Sequence, residues 1–215
     1  MKQQVIEKIL EYKAIAIVRG VYGEDCLNLA KALCAGGIKL LEATFDQKSQ
    51  EERIKTVETI KLLCKELGDQ MLFGAGTVTT PEMVKMAKDA GATFIISPDT
   101  CEEVIRATVD MGLVSIPGAY TATEAKQAYL AGADFVKLFP CVGDAPAYVK
   151  AICAPFNHIP FLAVGGVSAD NAAEFLKAGA VGLGVGSCLA NKKWADAGRY
   201  DLITEEAKKF VANIR

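Results

Sequence analysis

A lysine interrupts an otherwise apolar stretch late in the chain. The stretch reads FVKLFP over residues 135–140, and Lys137 is its only charged side chain. Flanking Phe135 and Phe139 would keep water from the ammonium group, which disfavours its charged form and lowers its pKa. A neutral amine is a nucleophile toward carbonyl carbon, so Lys137 is a candidate for covalent bonding to a ketone.

Glu42 is a candidate partner for this lysine. It lies in the apolar run KLLEATF, and the alternation of side chains along a strand places it on the same face as Leu40 and Thr44. Lys137 shares a face with its two flanking phenylalanines in the same way. If both faces point into one interior, an amine and a carboxylate meet there. Two interpretations follow: a nucleophile with a general acid/base, or a structural Glu42–Lys137 ion pair.

Strand-like and helix-like segments alternate eight times along the chain. The helical patterns carry apolar residues three and four positions apart. They end in similar glycine-containing stretches, such as LCAGG and KDAGA. Continuous apolar strands need cover on both faces, which a parallel sheet wrapped by helices provides. We therefore predict an α/β fold, a single (β/α)8 TIM barrel domain over residues 1–215, with an extra N-terminal helix over 1–12 and a last outer helix over 204–214. The predicted strands cover residues 14–18, 39–45, 71–76, 94–98, 113–118, 135–140, 161–166 and 181–186.

A barrel of this kind gathers the residues at the carboxyl ends of its strands into one site. Glycines let backbone N–H groups approach an anion, and a helix N-terminus attracts negative charge, so the glycines ending the last two strands predict a phosphate subsite. The stretch GVGSCL is expected to begin a short helix there. Close strand packing would explain the same glycines equally well. The residues expected at this end are Arg19, Glu42, Thr44, Thr77, Ser97, Pro98, Lys137, Gly165, Gly166, Gly184, Gly186 and Ser187.

Charge and composition narrow the classes of partner. The chain has 215 residues, of which 51% are hydrophobic and 23% charged, and its net charge is −2, as in a compact globular protein. No basic patch is present to follow nucleic acid, and no apolar run approaches the roughly 20 residues that span a bilayer. We expect a small-molecule partner, with no nucleic acid and no membrane.

Cysteine and histidine restrict the chemistry further. Seven cysteines occur without a C-x-x-C pair, which is typical of a reducing cytoplasm. His158 is the only histidine, which argues against most zinc and copper sites and against Ser–His and Cys–His nucleophile pairs. We expect neither a metal nor a cofactor.

Taken together, these stretches resemble the 2-keto-3-deoxy-6-phosphogluconate (KDPG) and 4-hydroxy-2-oxoglutarate (KHG) aldolase family, the small class I pyruvate aldolases. The resemblance rests on AIVRG, LLEATF, GAGTV, ISP, SIPGAYTATEA, FVKLFP, AVGGV and GVGS, in the family's order and spacing. It implies that Lys137 is the Schiff-base lysine and Glu42 the general acid/base, with Thr44 among the substrate-binding residues. It also implies that Arg19 and Thr77 line the pyruvyl end of the pocket, Pro98 and Phe139 form its walls, and Gly165, Gly166, Gly186 and Ser187 bind phosphate.

The resemblance further implies an activity. A 2-keto-3-deoxy-6-phospho sugar acid, KDPG, and/or KHG would be cleaved to pyruvate and an aldehyde, glyceraldehyde 3-phosphate or glyoxylate. Members of the family are typically metal-free cytoplasmic homotrimers, and the reaction belongs to carbohydrate metabolism of the Entner–Doudoroff type. We expect the same of this chain.

One position departs from the family pattern E-x-T-x-R. Asp46 replaces the arginine that helps to hold the substrate carboxylate, so Arg19 or Lys48 would have to hold that end, or the substrate differs. The 2-keto-3-deoxy-6-phosphogalactonate (KDPGal) branch also lacks this arginine, and AVGGV and TATEA resemble that branch as well. Three alternatives stay open: a KDPGal aldolase, a phosphosugar isomerase or epimerase with Glu42 as base, and a non-catalytic sugar-phosphate-binding barrel.

Overall fold

Parallel strand segments form one continuous sheet in the computed structural model, which describes residues 2–214. The segments are β1 (Ala14–Val18), β2 (Leu40–Thr44), β3 (Leu72–Gly76), β4 (Phe94–Ile96), β5 (Val114–Ile116), β6 (Gly118–Ala119), β7 (Val136–Leu138), β8 (Phe161–Val164) and β9 (Gly182–Val185). They lie side by side in the order β5-β4-β3-β2-β1-β9-β8-β7-β6, and every neighbouring pair is parallel.

Two short segments close this sheet into a barrel. The predicted strand over residues 113–118 is split into β5 and β6 at Pro117, which has no backbone N–H to donate to a ladder. β5 pairs with β4, whereas β6 pairs with β7, and the N–H of Lys137 donates to the carbonyl of Pro117 at 2.8 Å. β5 and β6, the two outermost strands of the sheet order, are therefore consecutive segments of the chain, and this closes the barrel. The predicted (β/α)8 barrel is confirmed, with its fifth strand corrected to two segments.

Helices surround this barrel, and polar side chains cap the N-termini of several of them. The helices are α1 (Lys2–Tyr12), α2 (Gly23–Ala35), α3 (Gln50–Leu67), α4 (Pro81–Asp89), α5 (Glu102–Asp110), α6 (Ala122–Leu130), α7 (Ala145–Cys153), α8 (Ala172–Lys177), α9 (Lys192–Asp196) and α10 (Tyr200–Ile214). The side chains of Ser49, Thr80 and Thr121 accept hydrogen bonds from first-turn N–H groups of α3, α4 and α6. The extra N-terminal helix is confirmed as α1, although residue 1 lies outside the described residues. Within residues 2–214, no helix combines the length and apolar character needed to cross a membrane.

An apolar plug fills the barrel interior at the amino ends of the strands. Only Lys13 separates α1 from β1, so α1 lies at this end, where it packs against β5 and β9. Gly74 makes room for the ring of Phe94, because a Cβ at this position would lie 2.2 Å from two of its ring carbons. The plug consists of Val5, Ile9, Ile15, Leu40, Phe94, Ile96, Val114, Ile116, Phe135 and Leu162. Polar interior groups are therefore left to the carboxyl ends of the strands.

Candidate active site

Lys137 and Glu42 are both buried within the barrel, beyond the apolar plug. Lys137 is the middle residue of β7 and is 7% exposed, and its Nζ lies 4.4 Å from the centre of the Phe139 ring. Glu42 is the middle residue of β2 and is 2% exposed. Among the ion pairs of residues 2–214, none joins these two groups. The direct ion pair of the structural interpretation is therefore not formed.

Burial shifts the pKa values of both groups toward neutrality. Removal from water raises the pKa of Glu42 from 4.5 to about 7, and the positive charges of Lys137 and Arg19 oppose this shift. Removal from water lowers the pKa of Lys137, an effect that Glu42 opposes and Arg19 reinforces. A carboxyl group that exchanges its proton near neutral pH, together with an amine that loses its charge more readily, suits acid–base and nucleophilic chemistry.

Two buried oxygens on β2 have no hydrogen-bond partner. They are Glu42 Oε2 and Thr44 Oγ1, and no other fully buried side-chain oxygen or nitrogen in the described part of the chain shares this property. An unpaired buried group costs about 1–3 kcal/mol, so its presence calls for a reason, such as a role toward a ligand. Gly76 gives the carboxyl group its space, because a Cβ there would lie 2.6 Å from Glu42 Oε1.

A cavity of about 280 Å³ opens onto Lys137 and Glu42 at the carboxyl ends of the strands. Thr44 is buried but does not line this cavity, and the hydroxyl of Ser97 instead donates to the Val78 carbonyl at 2.7 Å. The other residues predicted for the site all line it. These are Arg19, Glu42, Thr77, Pro98, Lys137, Phe139, Gly165, Gly166, Gly184, Gly186 and Ser187.

Three apolar side chains line the cavity without having been predicted from the sequence. They are Ile17, Val164 and Val167. Strand alternation could have found Ile17, which lies two residues before Arg19 and therefore on the same face of the chain. Val167 follows the end of β8 in a loop, where no periodic signal marks it. Together the three side chains give the cavity an apolar wall that limits the access of water to the polar groups.

Arg19 and Thr77 contact each other at the cavity wall. Arg19 Nη2 donates to Thr77 Oγ1 at 3.1 Å. Thr77 has a φ of 56°, in the left-handed region that a β-branched residue rarely adopts. Such strained residues persist only where the surrounding structure holds them, and they concentrate at functional sites. The pair therefore presents a guanidinium group and a hydroxyl group in a defined arrangement.

The glycines after the last two strands differ in whether backbone conformation or packing requires a glycine at that position. Gly165 and Gly166 have φ values of 108° and 65°, and a Cβ on Gly165 would lie 2.9 Å from the backbone nitrogen of Cys141. Backbone conformation and packing thus explain this pair, as the packing interpretation expected. Gly186 has neither constraint, because a Cβ there would meet nothing within 4 Å. The space beside Gly186 is open to a ligand.

The stretch after Gly186 does not begin a helix, and that prediction was wrong. The N–H groups of Leu189 and Ala190 both donate to the carbonyl of Gly186, which forms a single turn. Asn191 then adopts a ψ of 102°, outside the helical region, and its side chain caps α9 by accepting from the N–H of Trp194. The helix α9 therefore begins only at Lys192, and Ser187 lies in the turn that precedes it.

Asp46 does not bring its negative charge into the cavity. Its Oδ1 accepts hydrogen bonds from the N–H groups of Lys48 and Ser49, at 2.8 and 2.6 Å, before α3 begins. These two bonds hold the pKa of Asp46 below its usual value. Neither Asp46 nor Lys48 lines the cavity, whereas Arg19 does. Of the two cations considered for the substrate carboxylate, Arg19 is the one at the site.

The family model described as KDPG and KHG aldolase matches residues 5–206. The chain belongs to the KDPG and KHG aldolase family. In this family, 2-dehydro-3-deoxy-6-phosphogalactonate aldolase of Escherichia coli strain K12 is 37% identical over 176 residues, covering 81% of this chain and 83% of the relative. The 2-dehydro-3-deoxy-phosphogluconate aldolase of Pseudoalteromonas atlantica is 36% identical over 190 residues, covering 88% of this chain and 85% of the relative.

A solved structure in the KDPG and KHG aldolase family has the same fold. It is the KDPG aldolase of Legionella pneumophila with pyruvate captured at low pH as a covalent carbinolamine intermediate. This structure superposes with a TM-score of 0.83 at 29% identity and covers 97% of both chains. The barrel and its lyase family are therefore shared with an enzyme whose captured intermediate is a covalent pyruvate adduct.

Proposed function

We propose that this chain is a class I aldolase that cleaves KDPG and/or KHG to pyruvate and an aldehyde. The observation that carries the proposal is the buried Lys137, which lines a cavity together with Glu42, a carboxyl group whose pKa is raised to about 7. Family membership supports the same chemistry, as does the covalent pyruvate adduct captured in the Legionella pneumophila relative. KDPG would give glyceraldehyde 3-phosphate, and KHG would give glyoxylate.

Lys137 and Glu42 divide the work of bond cleavage. The Lys137 amine adds to the C2 ketone of the substrate, and loss of water gives an iminium ion that can accept the electrons of the C3–C4 bond. Glu42 removes the proton of the C4 hydroxyl group, the C3–C4 bond breaks, and the aldehyde leaves. The resulting enamine takes a proton from Glu42 at C3, and hydrolysis of the imine releases pyruvate and the free amine. One carboxyl group serves both proton transfers, which suits a pKa near neutrality.

The two ends of the cavity suit the two ends of such a substrate. Arg19 and Thr77 supply a guanidinium group and a hydroxyl group for the keto acid carboxylate. The backbone at Gly166, Gly186 and Ser187 supplies N–H groups for the phosphate of a 6-phospho sugar acid. Thr44 stays a predicted substrate-binding residue, because its unpaired hydroxyl group lies two residues after Glu42, on the same face of β2.

Gly186→Ala tests the phosphate subsite. The added methyl group enters open space at the cavity and should exclude a phosphate oxygen, so KM for KDPG should rise about tenfold or more, the scale of one lost charge-assisted hydrogen bond. The melting temperature should not change, because no protein atom lies within 4 Å of the new Cβ. Steady-state assays with KHG, which has no phosphate, provide the control. Equal losses with KDPG and KHG would place phosphate elsewhere.

A panel of keto-deoxy acids tests the reaction and its substrate. KDPG, KDPGal and KHG are each incubated with the wild-type chain, and pyruvate release is scored. We expect the two phosphorylated acids to be cleaved more efficiently than KHG, because only they occupy both ends of the cavity. KDPGal is the second candidate substrate, since Asp46 occupies the position of the family arginine. Absence of pyruvate release from all three acids would contradict the proposed function.

The proposal extends to assembly and compartment. A homotrimer is supported by large apolar side chains on the surface, among them Leu130 and Val142 at 71% and 65% exposure. All seven cysteines are free thiols, which suits the reducing cytoplasm. With KDPG as substrate, the enzyme would serve carbohydrate metabolism of the Entner–Doudoroff type.

A further inference from the structure

Gln47 lies outside the cavity but contacts a residue that lines it. Its Nε2 donates to the backbone carbonyl of Thr77 at 2.7 Å, and its Oε1 accepts from Thr79 Oγ1 at 2.8 Å. Both ends of the amide are therefore used, and they join the loop after β2 to the loop after β3. In this orientation both the donor Nε2 and the acceptor Oε1 of the amide have hydrogen-bond partners.

Thr77 needs such a contact. Its φ of 56° is rare for a β-branched residue and persists only when neighbouring groups enforce it. Two side chains do so, because Gln47 binds the Thr77 carbonyl and Arg19 binds its hydroxyl group. The conformation of Thr77 is thus the link between Gln47 and Arg19.

Gln47 is itself held by α3. Arg53, on this helix, donates from Nη2 to the carbonyl of Gln47 at 2.6 Å and from Nε to the carbonyl of Asp46 at 2.9 Å. The loop that carries Gln47 is therefore attached to a rigid element at two consecutive carbonyl groups. A side chain on such a loop can impose a position on the loop that follows β3.

Arg19 depends on this chain of contacts. It and Lys137 are the two cationic side chains that line the cavity, yet Arg19 is exposed and makes one side-chain hydrogen bond within residues 2–214, to Thr77. A long exposed side chain loses much conformational freedom when it binds a ligand, unless it is already oriented. We propose that Gln47 is a positioning residue that, through Thr77, orients Arg19 toward the carboxylate of the keto acid. This inference rests on the proposed function.

Gln47→Met tests the role without changing charge. It keeps the length of the side chain but removes the donor to Thr77. The pyruvate concentration for half-maximal borohydride trapping on Lys137, and KM for KDPG, should rise about five- to tenfold, while kcat changes less than about threefold. The melting temperature should move by less than about 3 °C, as for a surface substitution. Gln50→Met is the matched control, since Gln50 is exposed, lies three residues away and does not contact Thr77.

A double-mutant cycle separates positioning from a general effect on the loop. If Gln47 acts through Arg19, Gln47→Met should raise KM much less in an Arg19→Met background than in the wild type. Additive effects in the cycle, an unchanged KM in Gln47→Met, or a loss confined to kcat would each overturn the inference.

A crystal structure of ligand-free Gln47→Met keeps this test independent of the reaction. We expect Thr77 to return to negative φ and its contact with Arg19 to be lost. Retention of both features would overturn the inference, whatever the activity. A wild-type chain that neither traps pyruvate nor releases it from keto-deoxy acids would instead contradict the proposed function, and the crystal structure would still decide whether Gln47 holds Thr77.

Discussion

Lys137→Ala should leave the barrel folded and abolish pyruvate release. The substitution removes the amine that we propose forms the iminium ion, and no other lysine lines the cavity of the described chain. Wild-type protein incubated with pyruvate and borohydride should carry a reduced adduct on Lys137, detectable by mass spectrometry of its peptides. The variant should carry none, and Lys48→Ala, a change outside the cavity, should retain both the adduct and turnover.

Lys137→Met separates loss of the amine from loss of packing, which Lys137→Ala alone cannot do. Alanine leaves a void where a buried side chain was, whereas methionine fills most of the space without supplying an amine. Both variants should show the cooperative melting of the wild type. Wild-type turnover in either variant, or a wild-type protein that gains no mass on Lys137, would rule out the imine route. The isomerase or epimerase alternative, with Lys137 as an electrostatic partner only, would then be favoured.

Glu42→Gln should slow turnover by at least about 10²-fold, the scale expected for loss of a general base. The amide cannot take the C4 hydroxyl proton or return a proton to the enamine. Lys137 is untouched, so covalent trapping of pyruvate should persist, and this separates the role of Glu42 from that of Lys137. Turnover close to that of the wild type would remove Glu42 from the mechanism. Thermal stabilisation by sugar phosphates without pyruvate release, in the wild type, would favour the non-catalytic barrel.

The pH dependence of this variant provides a second measurement. Because burial raises the pKa of Glu42 to about 7, the ionised carboxylate accumulates only as the pH rises through 7. The kcat/KM of the wild type should therefore rise with pH through this region, and the Glu42→Gln variant should lack that rise. A pH–rate profile that is the same in both proteins would assign the titration to another group.

The same shift has a consequence for stability. A carboxyl group with a pKa of 4.5 when unfolded and about 7 when folded binds its proton more tightly in the folded protein. Its contribution is fully present below pH 4.5 and is lost as the pH rises through 7. The melting temperature of Glu42→Gln relative to wild type should thus increase between pH 5 and pH 8. A constant difference over this range would contradict the raised pKa.

The sequence by itself determined the barrel and the kinds of chemical group at its mouth. Apolar runs, helical spacing and glycine exits are local properties of the chain, so eight repeats of them predict the fold without knowledge of distances. The lysine and the glutamate inside apolar runs can also be identified from the sequence, because charged residues are rarely buried without a special role. The role assigned to each group came from its chemistry and from the family resemblance.

Only the tertiary structure decided how these groups meet. It shows that Glu42 and Lys137 form no direct ion pair, that packing requires Gly165 but not Gly186, and that a turn rather than a helix follows β9. It also turns Asp46 toward backbone N–H groups and places Thr77 in a left-handed conformation. These features depend on distances between segments far apart in the chain and on hydrogen bonds made by loops. Periodicity carries no information about either, because it reports which face a side chain occupies and not what stands opposite.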